Sequence, residues 1–522
     1  MSENTLQKTL KLFDERIIQA MNRYVLSGMA VGVVQDGRLV YGKGFGLADS
    51  RNNRQVTMDT VFRIASISKT FTAIGVMQLW EQGKFQLDDP VNEYLKGYKV
   101  LHPDPQAPPV TFRHMLTHTS GIGEAPNLKV LFMEEVLGKG DRIMAGEPVP
   151  TLAEVYQGRL TPDVYPGEKW AYANHAYATL GQLIEDISGE PFPQYMLRHV
   201  FEPLGMGKTD FEYSDRVKNE LAQGYTLKKG CLVPVEVQMF PGMAAGTVFT
   251  SVNEMARYLA ALMNGGSNEH GSVIKPETLK MMMTAHYQQD THLEAMGLGF
   301  FLKSLEGHPA AWHGGDLWGF NSAMWVAPED KLGLVVFANS NTRAIYSLAE
   351  GFLRSLLGLP DLDSRLPVPG VLNPTHLWPQ LCGFYGPRPG MNSNTRIWLN
   401  FGGEVEISIG HGKGAKTIPT LMLRSLAGLY TRGIALHPSD PNDSLVYENV
   451  TDGKQLTLVF QRNSEGYVDR FNLSALSFAT FYRKPKVQSL RFKINVAASA
   501  LLGATLAFLG TKLKKRTRKE KR

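Results

Sequence analysis

Ser66 and Lys69 stand three residues apart in Ser66-Ile67-Ser68-Lys69, at the head of a segment, Phe71 to Gln82, that is apolar on almost every face and stops at Gly83. That composition predicts a buried helix with Gly83 as its C-terminal stop. One helical turn then places the Ser66 hydroxyl and the Lys69 amine on the same face. The positive end of a helix and burial both disfavour an ammonium ion, so Lys69 is expected to be able to take the serine proton. A serine activated in this way attacks a carbonyl carbon. The same four residues also describe an N-cap serine followed by a surface lysine. The pattern recurs at Ser272-Val273-Ile274-Lys275, but there Pro276 pushes Lys275 out of helical angles, and no nucleophile is expected.

Two later clusters give the first one company. Tyr172-Ala173-Asn174 follows the turn Tyr165-Pro166-Gly167 and offers a phenol for proton relay and an amide to hold a substrate amide. His313-Gly314-Gly315 precedes a pair of strands, and its glycines would let the backbone approach a bound substrate. Each also reads as ordinary structure: a core tyrosine with a bonded asparagine, and a Gly-rich turn. Tyr447-Glu448-Asn449 repeats the Y-x-N spacing near the C-terminus, so chain order and domain context have to discriminate. His114 and His118 have the spacing of a metal pair if helical, yet no H-E-x-x-H acid accompanies them. They are expected to be structural, with no metal and no cofactor.

The elements that must position these residues follow from periodicity. Leu6, Leu10, Phe13, Ile17 and Met21 predict an amphipathic helix. Residues 29 to 35 and 38 to 47 flank Asp36-Gly37, which supplies the positive φ angles of a type I′ hairpin. A second pair, 320 to 326 and 332 to 338, encloses a turn at Pro328-Glu329-Asp330, and a helix is expected over 343 to 357. Strands at both ends of a long unit with a helix-rich middle predict a mixed α/β fold, one sheet built from distant segments. Residues 1 to 358 form that unit. A proline-rich linker over 359 to 379, whose composition admits no helix, leads to a small all-β module over 380 to 484 with strands such as 445 to 449, 455 to 460 and 478 to 482.

In sum of its motifs the chain resembles the serine β-lactamase and penicillin-binding-protein superfamily, in particular its group of class C β-lactamases, D-aminopeptidases, DD-carboxypeptidases and esterases. The similarity runs from about residue 10 to 357. Its carriers are Phe62 to Thr70, Leu87 to Val91, His114 to Gly121, Pro166 to Leu180, Pro203 to Thr209, Ala244 to Ser251, and His313-Gly314-Gly315. The resemblance implies a β-lactamase-like fold, an antiparallel sheet flanked by helices with a helical subdomain. It implies that Ser66 is the nucleophile, that Lys69 with Tyr172 manages its proton, and that Asn174 orients Lys69 and the substrate. His313, Gly314 and Gly315 would bind substrate, and the backbone N–H groups of Ser66 and Asp316 would form the oxyanion hole. Where many β-lactamases carry lysine this chain carries His313, which implies peptidase- or esterase-like hydrolysis over efficient antibiotic hydrolysis. A scaffold that has lost turnover, or an acyltransferase using the same acyl-enzyme, would fit the same motifs. The C-terminal module, entered through Cys382-Gly383-Phe384-Tyr385-Gly386, is similar over a short stretch to the lipocalin-like barrel appended to some of these hydrolases.

Charge narrows the partners. The 522 residues carry a formal +6, but from Arg491 onward ten Lys/Arg face one acid, Glu520. The tail therefore holds +9 and the remaining chain −3, so no basic face exists for a nucleic acid and the expected partner is a small-molecule or short-peptide substrate. Cys231 and Cys382 are too few for a disulfide framework. Asp14, Glu15 and Arg16 interrupt the first apolar stripe, so no secretory signal is read and a cytoplasmic location is expected. Residues 485 to 522 read as an apolar segment with a basic tail. Its uncharged run, Val496 to Gly510, is shorter than a spanning helix needs but is flanked by cations that can snorkel, and membrane association through 491 to 522 is expected.

Overall fold

The computed structural model describes residues 3–124, 143–342, 344–362, 368, 371, 373–388, 390, 392–411, 419–451, 454–474, 479–494 and 496–497. Two compact units divide the chain. The first is Met1–Arg365 with Gly390–Ser393 and Val450–Lys454; the second is Leu366–Pro389, Asn394–Asn449 and Gln455–Arg522.

The first unit is organised by a nine-stranded antiparallel sheet whose centre joins the two chain ends. Gly28–Gln35 pairs with Leu332–Ala338 on one side and Arg38–Asp49 on the other. From Leu332–Ala338 the sheet continues through Phe320–Ala327, His308–Leu317 and Phe301–Leu305. The turn at Asp36-Gly37 has φ of 52° and 76°, as a type I′ hairpin requires. Both faces of the central strands are buried, which is why they read as near-continuous apolar runs. On one face lie the helices Glu3–Tyr24 and Ala344–Leu356, joined by Phe13 stacked on Phe352 at 4.0 Å. On the other lies the helical body around Ser68–Glu81.

That helix is buried on every side. Phe71 stacks on Tyr258 at 4.0 Å, and a Cβ on Gly75 would meet Met196 Sδ at 2.9 Å. It ends where Gly83 turns to φ 71° and its N–H bonds the Trp80 carbonyl. The α-helix begins at Ser68, so Ser66 sits not on its first turn but on a preceding 3-10 turn, Ala65–Ile67, and is not its N-cap. His114 and His118 share no helix face: the helix is Phe112–Leu116, and His118 lies beyond it with φ 58°. Ser272 and Lys275 are likewise apart, Lys275 being the extended N-cap of Pro276–Met282.

The second unit is a closed barrel of eight antiparallel strands in chain order, from Gly383–Gly386 to Ala479–Lys484, which pair with each other to close it. Tyr385, Leu421, Leu458, Phe471 and Phe481 are among its buried core residues, an interior of the size eight strands can fill with side chains. Tyr447 is buried there, which accounts for the second Y-x-N as barrel structure. One expectation fails: the proline-rich stretch does hold a short helix, Trp378–Leu381, because Pro379 occupies its first turn, where no N–H is needed. The far end of the barrel reaches into the residues read as tail. Glu404 accepts bonds from Ser489 and from the Leu490 and Arg491 N–H groups, and Arg491 pairs with Glu406 at 3.1 Å. Among the described residues no helix is long and apolar enough to cross a membrane. The expected membrane segment lies outside the described residues from 498 onward.

Lys303 is partly buried between two acids, 2.7 Å from Glu350 and 4.0 Å from Glu294. Burial, opposed by Lys303 and aided by Glu350, raises the Glu294 carboxyl from 4.5 to about 7. A raised carboxyl keeps a proton that the unfolded chain releases, so its contribution to stability is greatest at low pH and is lost as pH rises through about 7. Between about pH 5 and about pH 8 the wild type should therefore lose roughly 1–3 kcal/mol of unfolding free energy relative to Glu294→Gln, measured by urea denaturation. Parallel pH curves for the two proteins would contradict this.

Candidate active site

The strand–turn–helix segment Phe62 to Thr70 sets the nucleophile's geometry. Phe62–Arg63 pairs with Phe249–Thr250, then Ala65 turns to φ 49°, an uncommon angle for a residue with a Cβ. Ser68 pins the turn: its Oγ donates to the Ala65 carbonyl at 2.5 Å and accepts the Val248 N–H at 3.0 Å. Ser66 is thereby raised out of the helix while Lys69, fully buried, remains within it.

Lys69 Nζ is held by three oxygens from three parts of the chain. It lies 3.0 Å from Ser66 Oγ, 2.8 Å from Asn174 Oδ1 and 2.6 Å from the Ala245 carbonyl. An ammonium donates to all three. A neutral amine donates to the amide and the peptide carbonyl, and its lone pair is then left facing the serine hydroxyl. Asn174 is the first residue of the helix Asn174–Ser188, and Ala245 ends the turn Met243–Ala245. Thr72 Oγ1 ties that turn to the central helix through the Ala244 carbonyl at 2.8 Å, and a Cβ on Gly181 would meet Ala244 Cβ at 2.5 Å.

Tyr172 is buried with its ring centroid 4.8 Å from Lys69 Nζ. Its ring stacks on His118 at 4.4 Å and 30°. Tyr177 lies 5.6 Å from the same amine and donates to the Leu116 carbonyl; burial pushes its phenol well above the ordinary value, so it stays protonated. Next to Asn174, burial lowers the His175 imidazole to about 4, and that ring accepts the Tyr156 hydroxyl at 2.7 Å.

The third motif runs along His308–Leu317. Pairing with Phe301–Leu305 ends at Trp312, one residue before His313. His313 is buried, its Nδ1 2.7 Å from the Gly314 carbonyl and its ring 5.1 Å from Phe301. Gly315 brings the strand flush against the nucleophile's turn: an added Cβ would stand 2.1 Å from the Ile64 carbonyl, 2.2 Å from Ser322 Oγ and 3.0 Å from Ala65 Cβ. Ser322 Oγ in turn donates to Ile64 at 2.7 Å. Asp316 follows on the same strand with an exposed side chain. The structure therefore joins Ser66, Lys69 and Asn174 by direct bonds, sets Tyr172 beside the amine and lays Gly315 on the turn. The Ala245 carbonyl carries no role in the sequence reading, and His118 only a structural one. A peptide oxygen carries no sequence signal, although Ala244 to Ser251 is a stretch that carries the resemblance.

The model of the family described as Beta-lactamase matches residues 13–354, more than half of the chain. The chain belongs to the beta-lactamase family. PbpX of Bacillus subtilis (strain 168) is 30% identical over 271 residues, covering 50% of this chain and 63% of PbpX. Protein flp of Staphylococcus aureus (strain MW2) is 24% identical over 329 residues, covering 62% of each chain. In both, the match spans less than two thirds of the relative's own length. Among solved structures, the octameric penicillin-binding protein homologue from Pyrococcus abyssi aligns with a TM-score of 0.60 at 25% identity, covering 90% of this chain and 99% of that one. EstCE1, a hydrolase with promiscuous acyltransferase activity, shares the fold at a TM-score of 0.54 and 21% identity, covering 68% of this chain and 97% of its own.

The two glycines of the third motif should differ in tolerance. At Gly315 the obstacles are a backbone carbonyl and a strand side chain, whereas at Gly314 the obstacle is the Tyr346 ring edge at 2.6 Å, a side chain held by its hydroxyl bond to the Gly315 carbonyl. Gly315→Ala should cost about 1–3 kcal/mol of stability by overpacking and Gly314→Ala clearly less, read from urea midpoints. Equal losses would show that strand and turn are not in contact at Gly315.

Proposed function

We propose that the protein hydrolyses an ester or amide through an acyl-enzyme on Ser66. The carrying observation is the Ser66–Lys69–Asn174 arrangement, with 3.0 Å between hydroxyl and amine, in a chain of the beta-lactamase family. Lys69, in its amine form, takes the Ser66 proton as Oγ bonds to the substrate carbonyl carbon, and the carbonyl π pair moves to oxygen. The N–H groups of Ser66 and Asp316 would receive that oxyanion, with about 3 kcal/mol as the usual worth of such a donor. Tyr172 relays the proton to the leaving group as the C–N or C–O bond breaks. Water then enters, gives up a proton to the same groups and releases the acid. A different acceptor at that step would make the outcome acyl transfer.

Asn174 Nδ2 and the strand from His313 to Asp316 would bind the substrate backbone. With His313 in place of a lysine, peptides with small or D-configured residues and small acyl esters are the favoured substrates, ahead of β-lactams. No step calls for a cofactor, and among the described residues no group of three or more His, Cys, Asp or Glu is placed to hold a metal ion.

A fluorophosphonate or penicillin probe should add its mass to the wild type and not to Ser66→Ala. Lys69→Ala and Tyr172→Phe should each slow acylation by about a hundredfold to ten-thousandfold while still folding, with urea unfolding as the control. Nitrocefin turnover should trail that of activated esters. A wild type that no probe or ester acylates would make the chain a scaffold on the same fold, and near-normal acylation in Lys69→Ala would remove the lysine from its role.

The same proposal extends to the tail, which carries none of the three motifs. Its apolar run and cations would hold the protein to anionic membrane at about 1 kcal/mol per nearby cation. Because Arg491 is bound to the barrel, the informative deletion is 498–522. It should move the protein from a carbonate-washed membrane fraction to the soluble one with probe labelling retained. A full-length chain found wholly in the soluble fraction would refute the extension.

A further inference from the structure

We propose that His118 is the positioning residue of Tyr172, fixing where the phenol stands relative to Lys69. The inference rests on the reading of Tyr172 as a proton carrier and adds to it the group that sets its place.

His118 is fully buried and adopts φ 58°, a left-handed angle that costs a residue with a Cβ about 1–3 kcal/mol. What that angle achieves is visible in its bonds. The His118 carbonyl accepts the Ala171 N–H at 2.8 Å, and its Nδ1 accepts the Ala173 N–H at 3.1 Å. One residue thus grips the chain on both sides of Tyr172. Between those two bonds the imidazole lies on the Tyr172 ring, 4.4 Å away and 30° from parallel. Lys69 Nζ is 4.8 Å from the centroid of that same ring. Backbone on either side and ring face are all set by His118, leaving the phenol one placement relative to the amine.

The bonding also fixes the tautomer. Because Nδ1 accepts from a peptide N–H, the ring proton belongs on Nε2. The segment after it repeats the grip: the Thr119 carbonyl accepts the Gly167 N–H at 2.7 Å and the Gly121 carbonyl the Asp163 N–H at 3.0 Å. A purely structural histidine would need the backbone bonds alone. The imidazole also touches Tyr177 at 5.0 Å and Trp170 at 5.6 Å, but Tyr172 is the ring it stacks on, and the segment whose backbone it grips on both sides.

Two substitutions separate the halves of the contact. His118→Asn keeps an acceptor for Ala173 and tolerates the left-handed angle, but removes the ring. His118→Phe keeps a ring and removes the acceptor. Each is combined with Tyr172→Phe in a double-mutant cycle, with acylation by an activated ester as the rate and urea unfolding as the control. If His118 acts through Tyr172, His118→Asn should lower kcat about tenfold or more with KM within about twofold, and should change the rate less than about twofold once Tyr172 is Phe. In isotope-labelled protein the Tyr172 Cζ resonance, assigned by its loss in Tyr172→Phe, should shift in both His118 variants. Should one variant fail to fold, the other still reports.

Equal losses in the two Tyr172 backgrounds, or an unmoved Tyr172 resonance in a folded His118→Asn, would overturn the proposal and leave His118 as a fold residue. If the wild type is acylated by nothing, the hydrolase reading fails by itself, and the resonance still decides whether His118 positions Tyr172.

Discussion

A lysine amine buried inside a helix is the constraint on which the first unit depends. Withdrawing such a group from water costs several kcal/mol unless its donors are met by well-placed acceptors. Lys69 meets them at residues 66, 174 and 245, one neighbour in sequence and two far removed. Each distant acceptor is a helix or turn end, so the central helix, the helix from Asn174 and the turn Met243–Ala245 must converge on one point. The glycine at 181 and the Thr72 bond are how two of those elements come close enough.

The comparison with Lys303 shows what kind of burial this is. Lys303 is less enclosed, with 18% of its side chain exposed, and sits at 2.7 Å from a carboxylate, a pairing that favours its cation. The acceptors at Ser66, Asn174 and Ala245 are a hydroxyl, an amide and a peptide carbonyl, groups without a full charge. Acceptors of that kind satisfy an ammonium ion without trapping it, and they also orient the free amine. One chain thus uses the same side chain twice, once as a structural ion and once in surroundings suited to proton exchange.

How much of this could be read beforehand depended on whether the cause was local. The Asp36-Gly37 hairpin, the stop at Gly83, the strand pair around Pro328 and the helix to Leu356 are set by residues within a few positions, and they stand in the structure. Ser66, Lys69 and Asn174 were legible through motif order, and their bonds agree with that order. The 3-10 turn at Ser66 was not legible, because the left-handed Ala65 is imposed by Ser68 and by a strand some 180 residues away in the Val248 bond. The Ala245 carbonyl has no side chain to announce it. His118 was visible only as half of a histidine pair, since its partner in space is the Tyr172 segment.

Two of the left-handed residues stand where the motifs meet. Ala65 and His118 both hold left-handed angles, one immediately before the nucleophile and one beneath the tyrosine. Neither angle is favourable alone, so each persists because its neighbours over-determine it: Ser68 and Val248 at the first, Ala171 and Ala173 at the second. Ala65 precedes the serine bonded to Lys69 and His118 carries the tyrosine beside it, so relaxing either would move an oxygen or a ring relative to the amine. A sheet buried on both faces supplies the rigidity to hold them. It follows that the stability of the first unit and the geometry around Lys69 are coupled most tightly at these two backbone positions, more than at the chemical groups themselves.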